Sequence, residues 1–138
     1  MRILVVDDDS SLREALAAVV ADAAGVEPRT FCDGYLVLED LAASESDSSR
    51  ILAFIDVEMP VLDGMSLVRQ LKSRYPHAVV VMMSANRKYR ESAYLAGADY
   101  FLHKPFELDE MIGLIDRFGR ENVRKHCPVE LETASFAA

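Results

Sequence analysis

The chain has 138 residues, of which 51% are hydrophobic and 28% are charged, and its formal net charge is −8. This length excludes two domains of ordinary size but supplies enough apolar residues for one buried core. The excess of 23 acidic over 15 basic residues argues against direct binding to nucleic acid, which depends on clustered Lys and Arg.

In the first part of the chain, short apolar runs alternate with segments of helical spacing. Residues 3–6 are predicted to form a strand because they are continuously apolar. Residues 12–23 are predicted to form a helix, since their apolar side chains recur at the intervals of one helix face. A weaker strand is predicted over 26–31 and placed at the edge of a sheet, because Pro28 cannot donate a hydrogen bond to a neighbouring strand.

The alternation continues to the end of the apolar pattern. A helix over 35–42 has an apolar stripe that begins at Tyr35. A helix over 87–95 has the narrowest stripe, formed by Ala93 and Leu95, so we expect it to be loosely docked. The remaining elements are strands at 51–55, 78–83 and 100–103 and helices over 65–71 and 108–118.

Five strands alternating with five helices predict an α/β fold. Such an alternation gives a doubly wound parallel sheet with helices on both faces and right-handed crossovers. We expect one domain over residues 1–120, followed by a C-terminal tail or the start of a linker over 121–138.

Cysteine usage and the N-terminus predict a cytoplasmic protein. Cys32 and Cys127 lie far apart in no metal-binding spacing, so we expect two reduced thiols. The apolar start of the chain is too short for a signal peptide, and we find no run of ~20 apolar residues that would span a membrane. We therefore expect no membrane contact.

Charged or hydroxyl-bearing residues directly follow or end four of the five predicted strands. The first strand ends in Asp7-Asp8-Asp9, the third in Asp56, the fourth in Ser84 and the fifth in Lys104-Pro105. In an open parallel sheet, ligands bind beyond the carboxyl ends of the strands, where the strand order reverses. These side chains are therefore expected to converge on one crevice.

Carboxylates that converge in this way point to a hard metal ion. They repel one another and raise each other's pKa unless a cation neutralises them. Oxygen-only ligands select Mg²⁺, or a close substitute such as Mn²⁺. A metal, an ammonium and a hydroxyl beside a carboxylate nucleophile together suit transfer of a phosphoryl group.

At these residues the chain resembles the receiver domain of a two-component response regulator. The resemblance extends over residues 2–120 and rests on five separated motifs in the expected order. They are Val-Val-Asp-Asp at 5–8, Asp-Val-Glu-Met-Pro-Val-Leu-Asp-Gly at 56–64, Met-Ser-Ala at 83–85, Ala-Gly-Ala-Asp at 96–99 and Lys-Pro-Phe at 104–106. The family's fold is flavodoxin-like, with strand order 2-1-3-4-5.

The resemblance implies a role for each acidic residue in the crevice. Asp56 matches the phosphoacceptor and a metal ligand. Asp7 and Asp8 match the acidic pair at the metal, with Asp8 the more direct ligand and Asp7 acting largely through water. The backbone carbonyl of Glu58 would be a further ligand. We also expect the Glu58 carboxylate to lie near the path of water that attacks an acyl phosphate, and so to change the lifetime of the phosphoryl group.

The resemblance also assigns the residues that follow the last two strands. Ser84 matches the hydroxyl that reaches the phosphoryl group, and Lys104 matches its ammonium partner. Pro105 matches a proline that is usually preceded by a cis bond. Phe101 occupies the position of the switch aromatic, where tyrosine is frequent, so it can signal by burying or exposing its ring but not through a hydroxyl.

The function implied is a phosphorylation-dependent switch rather than an enzyme. The phosphoryl donor would be a sensor histidine kinase or a histidine phosphotransfer protein. The output would pass through the face formed by the fourth helix, fifth strand and fifth helix, to an effector protein, a second copy of the chain or a C-terminal output domain. Tyr89, Tyr94 and Phe106 are candidates for contacts there or for the core. Because 138 residues leave no room for an output domain, we expect a stand-alone receiver or one cut from a longer regulator.

Two other functions fit parts of the sequence. Asp7-Asp8-Asp9-Ser10 after an apolar strand approaches the motif of a haloacid dehalogenase-type phosphatase with Asp7 as nucleophile, but this leaves the Asp56 loop unexplained. A receiver that is never phosphorylated would serve only as an interaction module. A nucleotide-binding domain is disfavoured, because no glycine-rich phosphate-binding motif follows a strand.

Overall fold

The computed structural model describes residues 1–44 and 49–119. Its five strands form one parallel sheet in the order β2-β1-β3-β4-β5, which confirms the predicted fold. The strands are β1 Arg2–Val6, β2 Arg29–Phe31, β3 Ile51–Asp56, β4 Val79–Ser84 and β5 Tyr100–His103. The predicted tail at 121–138, with Cys127, lies outside the described residues.

Within the described residues, five α-helices connect and follow the strands. They are α1 Ser10–Ala24, α2 Gly34–Ala43, α3 Gly64–Arg74, α4 Arg90–Ala96 and α5 Leu108–Gly119. The helix predicted over 87–95 is a short 3₁₀ turn, Arg87–Tyr89, that leads into α4. The strand predicted over 26–31 begins only at Arg29, after Pro28, because proline cannot donate to the ladder. It lies at the sheet edge, as expected.

The two faces of the sheet bury separate apolar clusters. Alternate residues of β1 point to opposite faces, so that Leu4 and Val6 pack with α2, α3 and α4 while Ile3 and Val5 pack with α1 and α5. Both faces are therefore covered, which explains why the strands are continuously apolar rather than alternating.

In two helices the buried face matches the predicted one only in part. Leu41 in α2 is buried as predicted, but Tyr35 is exposed and Val37 is buried in its place. Leu95 in α4 is 84% exposed, whereas Ala93 and Ala96 are buried. In both helices the small or branched residues fit close to the sheet, and the larger side chain is left at the surface.

Candidate functional site

The parallel register places Asp7 and Asp56 side by side. Val6 pairs with Ile55, so Asp7 follows β1 at the level where Asp56 ends β3. This is the point at which the strand order reverses, because the chain leaves β1 toward one sheet edge and β3 toward the other. Asp7 and Asp56 are 1% and 6% exposed, while Asp8 lies open to solvent.

These three aspartates form an acidic group that is able to hold a metal ion. Asp7, Asp8 and Asp56 each offer a carboxylate oxygen, and the three oxygens lie within 4.8 Å of one another. All the side-chain donors in the group are hard oxygens, the type that Mg²⁺ and Ca²⁺ prefer. The mixture of buried and exposed carboxylates leaves one side of the group open to water.

Lys104 joins the two buried aspartates. Its Nζ donates to Asp7 Oδ2 and to Asp56 Oδ1, both at 3.0 Å. The lysine follows β5 at the sheet edge, 48 residues from Asp56 and 97 residues from Asp7 in sequence. Two charge-assisted hydrogen bonds therefore connect three of the strand ends. The peptide bond between Lys104 and Pro105 is cis, as the resemblance implied.

Additional contacts hold Asp7 in place. Its Oδ1 accepts a hydrogen bond from the Asp9 amide at 3.0 Å, and its carbonyl oxygen accepts one from Arg13 Nη1 at 2.7 Å. Asp9 also caps α1 by accepting from the Leu12 amide. Arg13 was not predictable from the sequence, because an arginine on the polar face of an amphipathic helix carries no signal that distinguishes it from a solvated one.

Burial dominates the acid-base behaviour of Asp56. It raises the pKa of Asp56 from 3.8 to about 6; the hydrogen bond from Lys104 lowers the pKa, and the charges of Asp7 and Asp8 raise it. Burial lowers the pKa of Lys104, but its hydrogen bonds to Asp7 and Asp56 outweigh this effect and leave the pKa raised. The ammonium therefore stays charged at neutral pH, while ionised Asp56 is held at a cost to folding.

We expect Asp56→Asn to be more stable than the wild type by about 2 kcal/mol at pH 7.5 without divalent metal. The folded wild type holds a proton on Asp56 up to about pH 6, whereas an unfolded chain releases it near 3.8. The stabilisation that protonated Asp56 gives the folded state is thus complete below pH 4 and is lost as the pH rises through 6. Urea unfolding of both proteins with EDTA at pH 4 and 7.5 measures the difference in their free energies of unfolding. A difference that is equal at the two pH values contradicts the raised pKa of Asp56.

Ser84 ends β4 and begins the turn that leads into α4. The residue is buried, and its hydroxyl oxygen accepts a hydrogen bond from the Asn86 amide at 3.0 Å. The Lys104 amide donates to the Ser84 carbonyl oxygen at 2.8 Å. On the next residue, Ala85, the carbonyl oxygen lies 3.1 Å from His103 Nε2. The end of β5 therefore contacts the turn at two successive carbonyls.

The loop from β3 to α3 forms another wall of the site. Glu58 is exposed, and its Oε2 accepts a weak hydrogen bond from the Tyr89 hydroxyl at 3.4 Å. Asp63 caps α3 by accepting from the Ser66 amide at 2.9 Å. Gly64 follows at the first position of the helix, where its amide donates to the Val57 carbonyl oxygen at 2.9 Å. The loop is thus folded back onto the end of β3.

Phe101 lies in the core beneath α4. The ring is 7% exposed and belongs to the cluster on the α2, α3 and α4 face. The Phe101 amide points to the free edge of β5 and donates to the Tyr94 hydroxyl at 3.1 Å. Of the contact candidates, Tyr94 is exposed, whereas Tyr89 and Phe106 pack partly against the core.

Residues 3–116 match the family profile of the response regulator receiver domain. The chain belongs to this family. It is 41% identical over 115 residues to the DNA-binding transcriptional regulator NtrC of Escherichia coli strain K12, a match that covers 82% of this chain and 24% of NtrC. It is 36% identical over 114 residues to the response regulator MprA of Mycobacterium avium, covering 81% of this chain and 48% of MprA. This receiver chain thus spans less than half the length of either relative.

Solved structures of receiver domains share the fold. The receiver domain of NtrX from Brucella abortus is 34% identical with a TM-score of 0.73, and the match covers 83% of this chain and 95% of that one. TrrA from Thermotoga maritima, solved in complex with Mg²⁺ and BeF, is 28% identical with a TM-score of 0.72, covering 83% and 96%. These likenesses cover almost all of each solved chain, so the core of the receiver fold is common to them.

Family membership distinguishes between the receiver, the phosphatase and the interaction module that the sequence left open. A receiver is a regulatory phosphoacceptor domain rather than a catalytic enzyme, and the match extends through the Asp56 loop that the phosphatase hypothesis left unexplained. The phosphatase and the unphosphorylated interaction module are therefore not favoured. None of the helices within residues 1–44 and 49–119 combines the length and apolar character needed to cross a lipid bilayer.

Proposed function

We propose that this receiver is a phosphorylation-dependent signalling switch in which Asp56 accepts the phosphoryl group. The observation that carries the proposal is the placement of the Asp56 carboxylate, which lies within 4.8 Å of two further carboxylates and 3.0 Å from Lys104 Nζ. A nucleophile here has a cation on one side and an acidic group able to take a metal on the other. Both features suit a reaction that brings negative phosphoryl oxygens to a negative carboxylate.

We propose Mg²⁺, or Mn²⁺ in its place, as the ion of the acidic group. Asp8 and Asp56 would bind it directly, Asp7 would act largely through water, and the Glu58 carbonyl would supply a further oxygen. The residues fit the ion because all of these donors are oxygens and because two buried carboxylates share the single ammonium of Lys104. When bound, Mg²⁺ would neutralise charge on the transferring phosphoryl group.

In the proposed step, a carboxylate oxygen of Asp56 attacks the phosphorus of a phosphohistidine. The new O–P bond forms as the P–N bond breaks, and the imidazole leaves with the electron pair of that bond. Lys104 then holds one phosphoryl oxygen, and the Ser84 hydroxyl donates to another. The donor would be a sensor histidine kinase or a histidine phosphotransfer protein, the partners that the family's phosphoryl chemistry implies.

The signal would leave through α4, β5 and α5. Ser84 lies at the start of the turn into α4, and Phe101 is buried directly beneath that helix. Because phosphorylation can only bias states that a partner distinguishes, the output requires an effector protein, a C-terminal output domain or a second copy bound at this face. Tyr94 and Leu95 are exposed there and available for such contacts.

Incubation with radiolabelled acetyl phosphate and Mg²⁺ tests the proposal. The wild type should become labelled and Asp56→Asn should not. Asp22→Asn, which changes an exposed aspartate on α1, is the matched control and should retain the label. Label that survives Asp56→Asn refutes the proposal, and label lost only in Asp7→Asn supports the phosphatase alternative.

Glu58→Ala is expected to lengthen the lifetime of the phosphoryl group by about threefold, well below the roughly 10²–10⁴-fold that a positioned general base supplies, because the Glu58 side chain is exposed. An exposed carboxylate two residues beyond Asp56 is placed to accept a proton from an attacking water. The rate of loss of label from purified phosphorylated protein measures the effect, with Glu91→Ala on α4 as a control for surface charge. Equal rates in Glu58→Ala and wild type contradict the prediction.

A further inference from the structure

The end of β5 carries a histidine that the proposed chemistry does not use. His103 lies directly before Lys104, and its Nε2 is 3.1 Å from the Ala85 carbonyl oxygen. A carbonyl oxygen only accepts hydrogen bonds, so Nε2 carries the hydrogen in this contact. The contact joins residues 18 apart in sequence, across the gap between β5 and the turn that follows β4.

The turn is held at two consecutive peptide units. The Lys104 amide donates to the Ser84 carbonyl oxygen at 2.8 Å, and the His103 ring donates to the next carbonyl, that of Ala85. The second bond acts on the peptide unit between Ala85 and Asn86, whose amide is bonded to the Ser84 hydroxyl, so both ends of this unit are held where the chain leaves β4. The Ser84 hydroxyl, which accepts from the Asn86 amide, lies within this fixed stretch.

We propose that His103 is a positioning residue for Ser84, acting through the Ala85 carbonyl. This inference rests on the proposed phosphoryl chemistry and adds a residue to it. Lys104 contacts the acidic group, and His103 contacts the turn that carries the Ser84 hydroxyl. One dipeptide therefore aligns the ammonium and the hydroxyl that would bind the phosphoryl oxygens. Such alignment before the ligand arrives removes part of the ordering cost of binding.

His103→Leu and His103→Gln test the proposal as a pair. Leucine removes the donor, whereas the glutamine amide can place a nitrogen near the position of Nε2. With Mg²⁺ present, His103→Leu should bind beryllofluoride about threefold more weakly than wild type, the loss expected for one partly exposed hydrogen bond. His103→Gln should bind like wild type. Mg²⁺ affinity should be unchanged in both variants, since His103 contacts the turn and not the acidic group.

Amide hydrogen exchange without metal supplies a second, independent measurement. The Asn86 amide, whose acceptor is the Ser84 hydroxyl, should exchange about threefold faster in His103→Leu than in wild type and His103→Gln. His77→Leu, at an exposed histidine outside the site, should change neither beryllofluoride affinity nor this exchange.

The outcomes separate the positioning role from the proposed function. Failure of the wild type to bind beryllofluoride overturns the proposed function, and the exchange measurement still decides the role of His103. Wild-type binding with unchanged or tighter affinity in His103→Leu overturns the positioning role, as does an equal loss in both His103 variants. Unchanged exchange at Asn86 overturns it as well.

Discussion

Gly64→Ala should lower the free energy of unfolding by about 3 kcal/mol or more. A methyl group at this position would overlap the carbonyl oxygen of Asp56, and it would lie 2.9 Å from Val57 Cα and 2.8 Å from Met82 Cε. The methionine end can move, but the two backbone atoms belong to the end of β3 and its first loop residue. The clash therefore has to be relieved by moving the phosphoacceptor strand or the start of α3.

Chemical denaturation of Gly64→Ala and Gly113→Ala measures the effect against a matched control. Gly113 lies within α5, where a methyl group would meet nothing within 4 Å. Alanine is favoured over glycine inside a helix by about 1 kcal/mol, so Gly113→Ala should stabilise the protein. Equal effects at the two glycines would show that close approach to Asp56 is not what requires Gly64.

Lys104→Met should destabilise the protein by about 3 kcal/mol at pH 8 without metal. The substitution keeps an apolar stem of similar length but leaves the buried carboxylates of Asp7 and Asp56 without their ammonium partner. It also removes the hydrogen bond that lowers the pKa of Asp56, so this pKa should rise further. The loss should be smaller at pH 5, where Asp56 takes up a proton, and Mg²⁺ should restore part of the stability at pH 8.

Lys72→Met is a close control for this experiment. Its side chain is 21% exposed against 19% for Lys104, and its Nζ pairs with Asp99 Oδ2 at 2.8 Å and with the Ala78 carbonyl oxygen at 2.5 Å. These contacts lie at the opposite end of the strands from the acidic group. Lys72→Met should therefore be destabilising without a response to Mg²⁺. The role assigned to Lys104 is wrong if both variants respond to pH and Mg²⁺ in the same way.

The sheet was predictable because covered parallel strands are continuously apolar. Four of the five strands matched their apolar runs to within a residue at each end. The exception, β2, lies at the sheet edge and is largely exposed, so its sequence has no continuous apolar run. The helices were located correctly, but the buried faces of α2 and α4 were predicted only in part. Tyr35 and Leu95 are apolar enough to suggest the core, yet space next to the sheet admits Val37 and Ala96 instead, beside Leu41 and Ala93, which were predicted.

The candidate site was partly predictable for a related reason. Parallel strands end at the same edge of the sheet, so polar residues after several strands must come together there. That rule placed Asp56 and Lys104 near each other without any coordinates. It does not apply to Arg13 or His103, whose contacts are made to backbone carbonyls. Any residue type offers a carbonyl, so sequence alone carries no trace of which carbonyl a side chain will reach.

The residue pattern along the chain was enough to predict an acidic, doubly wound α/β receiver with carboxylates, a hydroxyl and a lysine at its strand ends. These properties follow from local patterns of polarity and from motif order along the chain. The tertiary structure alone decided that Asp7 and Asp56 are buried around Lys104 while Asp8 is exposed, and that His103 contacts the turn after Ser84. Burial and contact between distant residues depend on how the helices pack over the strand ends, and packing is a property of the whole fold.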